Sequence, residues 1–241
     1  MDGKKIIRDA VVKVAGLREK ASGQPGLTKA ISDIKHLQAR RFKGTYSDLL
    51  QTKQYAPAAQ FFLDELYSDK DYSERDGQFS RIAGALERIF PEPVVHIAVT
   101  LAQLHALTEE LDFNMGEQWL AHPHGTEASR YILAWRAVGR GSDRAQQLST
   151  TLSVGAELDQ LTRKPGLRTM LRLMRRPAQL AGLSSLQQFL ESGFDTFADM
   201  GKEAGAVSRF LELVEIRESR LLDQLFDTSH LACEDEIKSL I

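Results

Sequence analysis

Val94-Val-His-Ile-Ala-Val-Thr-Leu-Ala-Gln-Leu-His-Ala-Leu-Thr-Glu-Glu-Leu111 runs without a charge until Glu109. Wound as a helix it is apolar on most of its circumference, and such a helix belongs at the centre of a bundle, because no polar stripe marks a wetted side. Pro91 and Pro93 stand just before it. A residue with no N–H and a bulky ring stops a helix, so they end the amphipathic run of Phe79, Ile82, Ala83, Leu86 and Phe90. No apolar run reaches 18 residues, so no membrane-spanning helix is expected.

Helical spacing continues on both sides. Upstream, Ile6, Ala10, Val14 and Leu17 form one stripe, closed by Gly23-Gln24-Pro25-Gly26. Ala30, Ile31, Ile34 and Leu37 form the next, a short helix is expected over 47–50, and Pro57 opens a helix over 57–67 because its missing N–H costs nothing in a first turn. Residues 68–75 read as a loop. Downstream, Thr126 caps a helix carrying Ala128, Tyr131, Ile132, Trp135 and Val138, and Ser142 opens another that Pro165-Gly166 breaks. A short basic helix over 167–176 follows, interrupted by Pro177; then come a helix with Leu186, Phe189 and Leu190 and a last long one over 202–226. Alternating Val/Ile/Thr runs joined by hairpin turns are absent. The expectation is an all-α fold, a compact bundle of roughly nine to eleven helices with no sheet, forming one domain over 1–228 with an acidic tail over 229–241.

The 241 residues are 42% hydrophobic and 27% charged, the profile of a globular protein that needs neither disulfide nor metal to hold a core. Cys233 is the single cysteine, which excludes an internal disulfide and suits a reducing compartment; with no secretory pattern at the start, a cytoplasmic location is expected. The net charge of -2 conceals polarity along the chain. Residues 1–43 hold eleven Lys/Arg against four Asp/Glu, and residues 191–241 hold five against twelve. Either the two ends lie side by side, or the basic end meets an anionic partner.

Phe61-Phe-Leu-Asp-Glu-Leu-Tyr67, with Asp71-Tyr72, Arg75-Asp76 and Phe79-Ser-Arg-Ile82 after it, resembles the signature of an uncharacterised bacterial family named for its FFLEELY motif; Asp64 stands where that motif has its first Glu. Thr45-Tyr46-Ser-Asp48-Leu-Leu50, the Arg176-Pro177-Ala178 segment and Phe210 to Glu218 are similar to that family too. The resemblance implies an all-helical bacterial protein and brings no reaction with it.

Candidate site residues come from polar groups in apolar settings. Glu65 and Tyr67 lie on opposite sides of the motif helix, and Arg75 is the base that can pair with its carboxylates; together they make either a core contact or a pocket lining. Glu218 interrupts the stripe Val207, Phe210, Val214, Leu221, Leu225 and requires a cation or donor from another helix, since Arg217 points about 100° away. His105, Glu109 and Asp112 share one side of the central helix, a spacing suited to proton transfer or ligation, but the acids stand where that helix is expected to end in solvent.

Metal and catalytic patterns are poorly supported. The carboxylate-x-x-His spacing of di-iron bundles occurs at Asp33/His36 and Asp227/His230, a frequency that six histidines and 33 acids reach by chance. No metal and no cofactor are expected. Nucleotide-loop, nucleophile-elbow and zincin patterns are all missing. Arg168, Arg172, Arg175 and Arg176 surround a short apolar stripe and are the candidates for binding an anion; no aromatic lies between Trp135 and Phe189 to stack bases, so nucleic acid is disfavoured. The expected function is a non-catalytic interaction or ligand-binding module, with a protein or a small anionic or apolar ligand as partner, using a basic groove or an apolar pocket. The rivals are an enzyme built on Glu65, His105 and Glu218, and a regulator held on anionic membranes by the four arginines.

Overall fold

Pro57, Pro93 and Pro177 all fall in first turns, where a missing N–H forfeits no intrahelical bond. Pro93 therefore opens the apolar helix it precedes. The basic helix expected over 167–176 breaks earlier, at Met174, and Pro177 lies in the first turn of the short helix that follows. The computed structural model describes residues 3–65, 90–180, 182 and 184–241, and among these residues it is helical with no strand. Twelve helices follow one another in this described part: α1 (Gly3–Ser22), α2 (Leu27–Thr45), α3 (Ser47–Leu50), α4 (Ala56–Glu65), α5 (Glu92–Ala121), α6 (Glu127–Val138), α7 (Gly141–Thr162), α8 (Leu167–Leu173), α9 (Arg175–Leu180), α10 (Ser184–Met200), α11 (Ala206–Asp227) and α12 (His230–Leu240). The all-α expectation holds, with α9 and α12 beyond the helices the sequence announces. Among the described residues no helix is long and apolar enough to cross a membrane.

Three joints share one geometry. Gly26, Gly166 and Gly205 each adopt a left-handed φ, at 81°, 80° and 75°, just before α2, α8 and α11. In each the following amide bonds a carbonyl three residues back (Leu27 to Gln24, Leu167 to Lys164, Ala206 to Glu203), and the glycine carbonyl accepts the first helical bond of the new helix. A side chain at these φ values costs roughly 1–2 kcal/mol, which is why glycine occupies all three.

The described helices fall into two units. The first draws on Met1–Val14, Lys70–Ala106 and Thr150–Leu211, the second on Ala15–Asp69, Leu107–Ser149 and Glu212–Ile241. In the first, α10 buries Leu186, Phe189, Leu190, Phe194 and Phe197, and both α8 and α9 pack against it through the buried Leu171 and Ala178. In the second, Ala30, Ile34 and Leu37 of α2 meet Tyr131, Ile132 and Trp135 of α6 and Leu221 and Leu225 of α11.

The segment expected as an acidic tail is also part of that second core. It forms α12, packs on α2 and α6, and buries Cys233 and Ile237. Its approach to α2 is close: a Cβ added at Gly44 would lie 2.1 Å from the Leu240 carbonyl oxygen. Burial, chiefly, pushes the Cys233 thiol up, so the single cysteine is an inert core residue.

Candidate functional site

Glu218 finds the partner that its apolar surroundings demand. Nη1 of Arg41, one helix away on α2, donates to Oε1 of Glu218 at 2.6 Å, and the Tyr46 hydroxyl donates to the same oxygen at 2.9 Å. Arg41 and Glu218 are only 5% and 6% exposed, and Tyr46 is fully buried against the Phe42 ring. Arg217 turns the other way, as helical geometry requires, and makes a two-pronged bond to Asp48 of α3 with both contacts at 2.7 Å. One pair of neighbouring residues on α11 thereby fastens both α2 and α3.

A second set of buried charges lies in the same unit, and here the structure corrects the sequence. Glu109 and Asp112 do not mark the end of a helix: α5 continues to Ala121, which carries both inward. They are 9% and 2% exposed. Nζ of Lys35 donates to Glu109 at 2.5 Å and Nε2 of Gln38 to Asp112 at 3.1 Å, so positions three apart on α2 meet positions three apart on α5. Burial raises the Asp112 carboxyl above its usual range, opposed by Lys35 and Arg144 and reinforced by Glu109. Arg144 of α7 also lays its guanidinium 4.0 Å from the centre of the Trp135 ring. Tyr131 feels Arg41, Arg144, Asp112 and Glu218 together, and burial pushes its phenol up to about 12, so it stays neutral.

This ionic core supports holding helices together better than reacting. Glu109 and Glu218 each already face a cation, and neither of the two described clefts is lined by a residue of the cluster. Of the other candidates, Glu65 is half-buried at the end of α4, His105 is half-buried on α5 within the first unit, and Tyr67 and Arg75 lie outside the described residues. The larger cleft, about 560 Å³, belongs to the first unit and lies between α5 and α7 beside Phe90, His96, Glu157 and Lys164.

Two arrangements invite a chemical reading and do not sustain it. Ser129 Oγ lies 2.7 Å from Nε2 of His230, a contact between α6 and α12 that sequence spacing could not reveal. The nearby Glu234 carboxylate, at 3.8 Å, approaches that same Nε2, so it does not orient the ring through Nδ1 as a catalytic triad would. Asp33 pairs with Lys29 while His36 bonds the Ser32 carbonyl, which accounts for one of the two carboxylate-x-x-His spacings. Among the described residues no three His, Cys, Asp or Glu side chains converge on a metal-sized site.

The arginines of the basic segment divide into two kinds. Arg168 pairs with Asp195 at 2.7 Å and Arg175 with Glu191 at 2.6 Å, both across to α10. That bond and Gln187 hold the Glu191 carboxyl below its ordinary range despite partial burial. Arg172 and Arg176 are exposed and enter no ion pair among the described residues. Beside them Leu173 is 68% and Leu180 is 90% exposed, the latter the most exposed large hydrophobic side chain of the described residues. Met174, with φ -73° and ψ -9°, stays in the right-handed region and is the single residue between α8 and α9. Helical spacing then puts Arg172, Leu173, Arg176 and Leu180 within about a 100° arc, opposite the buried Leu171 and Ala178.

The chain belongs to the family described as a domain of unknown function, DUF8198. The family profile matches residues 17–231, which takes in the whole ionic core of the second unit and all of α8 and α9. The chain matches no curated protein and no solved structure. The DUF8198 match stops at the first turn of α12, short of the buried Cys233 and Ile237.

Proposed function

We propose that this DUF8198 protein is a non-catalytic helical binding module whose working surface is the exposed face of α8 and α9. One observation carries the reading: two large aliphatic side chains stand in solvent next to two arginines with no ion-pair partner among the described residues, while their neighbours Arg168 and Arg175 are neutralised by α10. Exposed leucines cost solubility, and large apolar side chains that share a helix face with unpaired charge favour a binding surface. The ionic core supports the same reading from the other side, because Glu218 is buried and held by Arg41 and Tyr46. The FFLEELY-like motif at 61–67 supports a bacterial, cytoplasmic setting for the module.

A photo-crosslinking residue placed at position 180 in living cells tests this, with one at Ile216 as control, since Ile216 is 57% exposed but lies in the other unit. The reading expects recurrent adducts from position 180 well above those from 216. Equal, diffuse labelling from both positions would overturn it.

A further inference from the structure

We infer that the partner of the α8–α9 face is the surface of an anionic phospholipid membrane, which the protein touches without spanning. The inference rests on the binding-module reading above and names its partner. Its first support is that charged and apolar side chains adjoin on one exposed face. Arg172 and Arg176 occupy one half of the exposed arc, and Leu180 and Leu173 the adjoining half. A helix lying in a membrane interface needs this pattern: the leucines enter the boundary between headgroups and acyl chains, while the long arginine stems lie along it and bring their guanidinium groups to phosphate.

Charge complementarity is the second support. Of the α10 carboxylates that face this segment, Glu191 and Asp195 are engaged by Arg175 and Arg168, and Asp199, which also feels Arg168, is paired with Lys202, so Arg172 and Arg176 are left as a positive excess. Arg172 contributes to holding the Glu191 carboxyl down, yet makes no contact pair with it. Relief is the third. Neither described cleft is lined by a residue of α8 or α9. A fluid lipid surface needs no shaped groove; a folded acidic partner would.

The contact is small and contains no aromatic anchor, because residues 167–180 include no Trp, Tyr or Phe. Association is therefore reversible and salt-sensitive, in the manner of a single weak lipid anchor. Co-sedimentation of the full chain with vesicles tests it, using phosphatidylcholine alone and phosphatidylcholine with about a third phosphatidylserine, at low and high salt. Wild type is expected to sediment with the anionic vesicles at low salt only. Two independent pairs of surface changes, R172E/R176E and L173S/L180S, are each expected to lower binding at least roughly tenfold. Both alter exposed side chains, so an unchanged far-UV spectrum and melting curve should accompany the loss; I216S, in the other unit, is expected to bind like wild type. Failure of wild type to sediment with anionic vesicles, equal binding to neutral ones, or wild-type binding by both double variants would overturn the inference. Protein adducts from position 180 without vesicle binding would remove the lipid and leave the binding module standing; loss of both results would remove both.

Discussion

At position 218 a carboxylate interrupts a stripe of apolar residues, and the stripe itself shows that something must answer it. Val214, Leu221 and Leu225 are all buried, so Glu218 is carried inside with them. Removing the partner of a buried ion is far more costly than removing the pair, because the survivor keeps its desolvation penalty. Glu218→Ala should therefore destabilise the protein by about 3–5 kcal/mol, while the double change Arg41→Met with Glu218→Leu should recover most of that loss, as equilibrium urea denaturation of the single and double variants would measure. The identity of the partner was not legible, because Arg41 lies 177 positions away and one basic residue of α2 looks like another. Asp112 was legible as a candidate and misplaced. Three acids within four residues resemble a solvated helix end, and only the continuation of α5 through Met115 and Trp119, both buried, shows that Asp112 faces inward.

Among elements, the helices with long apolar stripes were readable and the short or acidic ones were not. α12 is the instructive case. Glu234, Asp235 and Glu236 dominate its appearance, while the signal that it is structural is slight: Cys233 and Ile237, four apart, on one side of a helix. Ile237 is fully buried and Cys233 nearly so, against α2 and α6. Ending the chain after Thr228 should thus lower unfolding free energy by about 2–4 kcal/mol relative to the full chain, the cost of exposing one large aliphatic side chain and the surfaces it covers. A solvated tail would give no change. α9 escaped notice for a related reason: Pro177 reads as a break, and the break is a single residue wide because the proline then serves as part of a new first turn.

Over the whole molecule, neutrality arises from compensation that is mostly local. The bases of α2 reach Glu109, Glu127 and Glu218, and of these only Glu218 belongs to the acidic C-terminal stretch. The opposed charges of the two chain ends are brought together by α12 packing on α2, with the described ion pairs running largely to other helices. Arg172 and Arg176 are among the exposed bases that enter no ion pair in the described residues, as are Lys20, Lys43 and Lys164, and they differ from those in standing beside the exposed Leu173 and Leu180. Buried charge fixes helices in the second unit, and the surface proposed for binding, with exposed charge beside exposed leucine, lies in the first. Hydrogen–deuterium exchange of the full chain, with and without anionic vesicles, puts this division to the most direct test. Slower exchange confined to peptides covering 167–180, with α2 and α12 unchanged, is the result the account predicts. Protection of α2 or α12 without any at 167–180, or no difference anywhere, would contradict it.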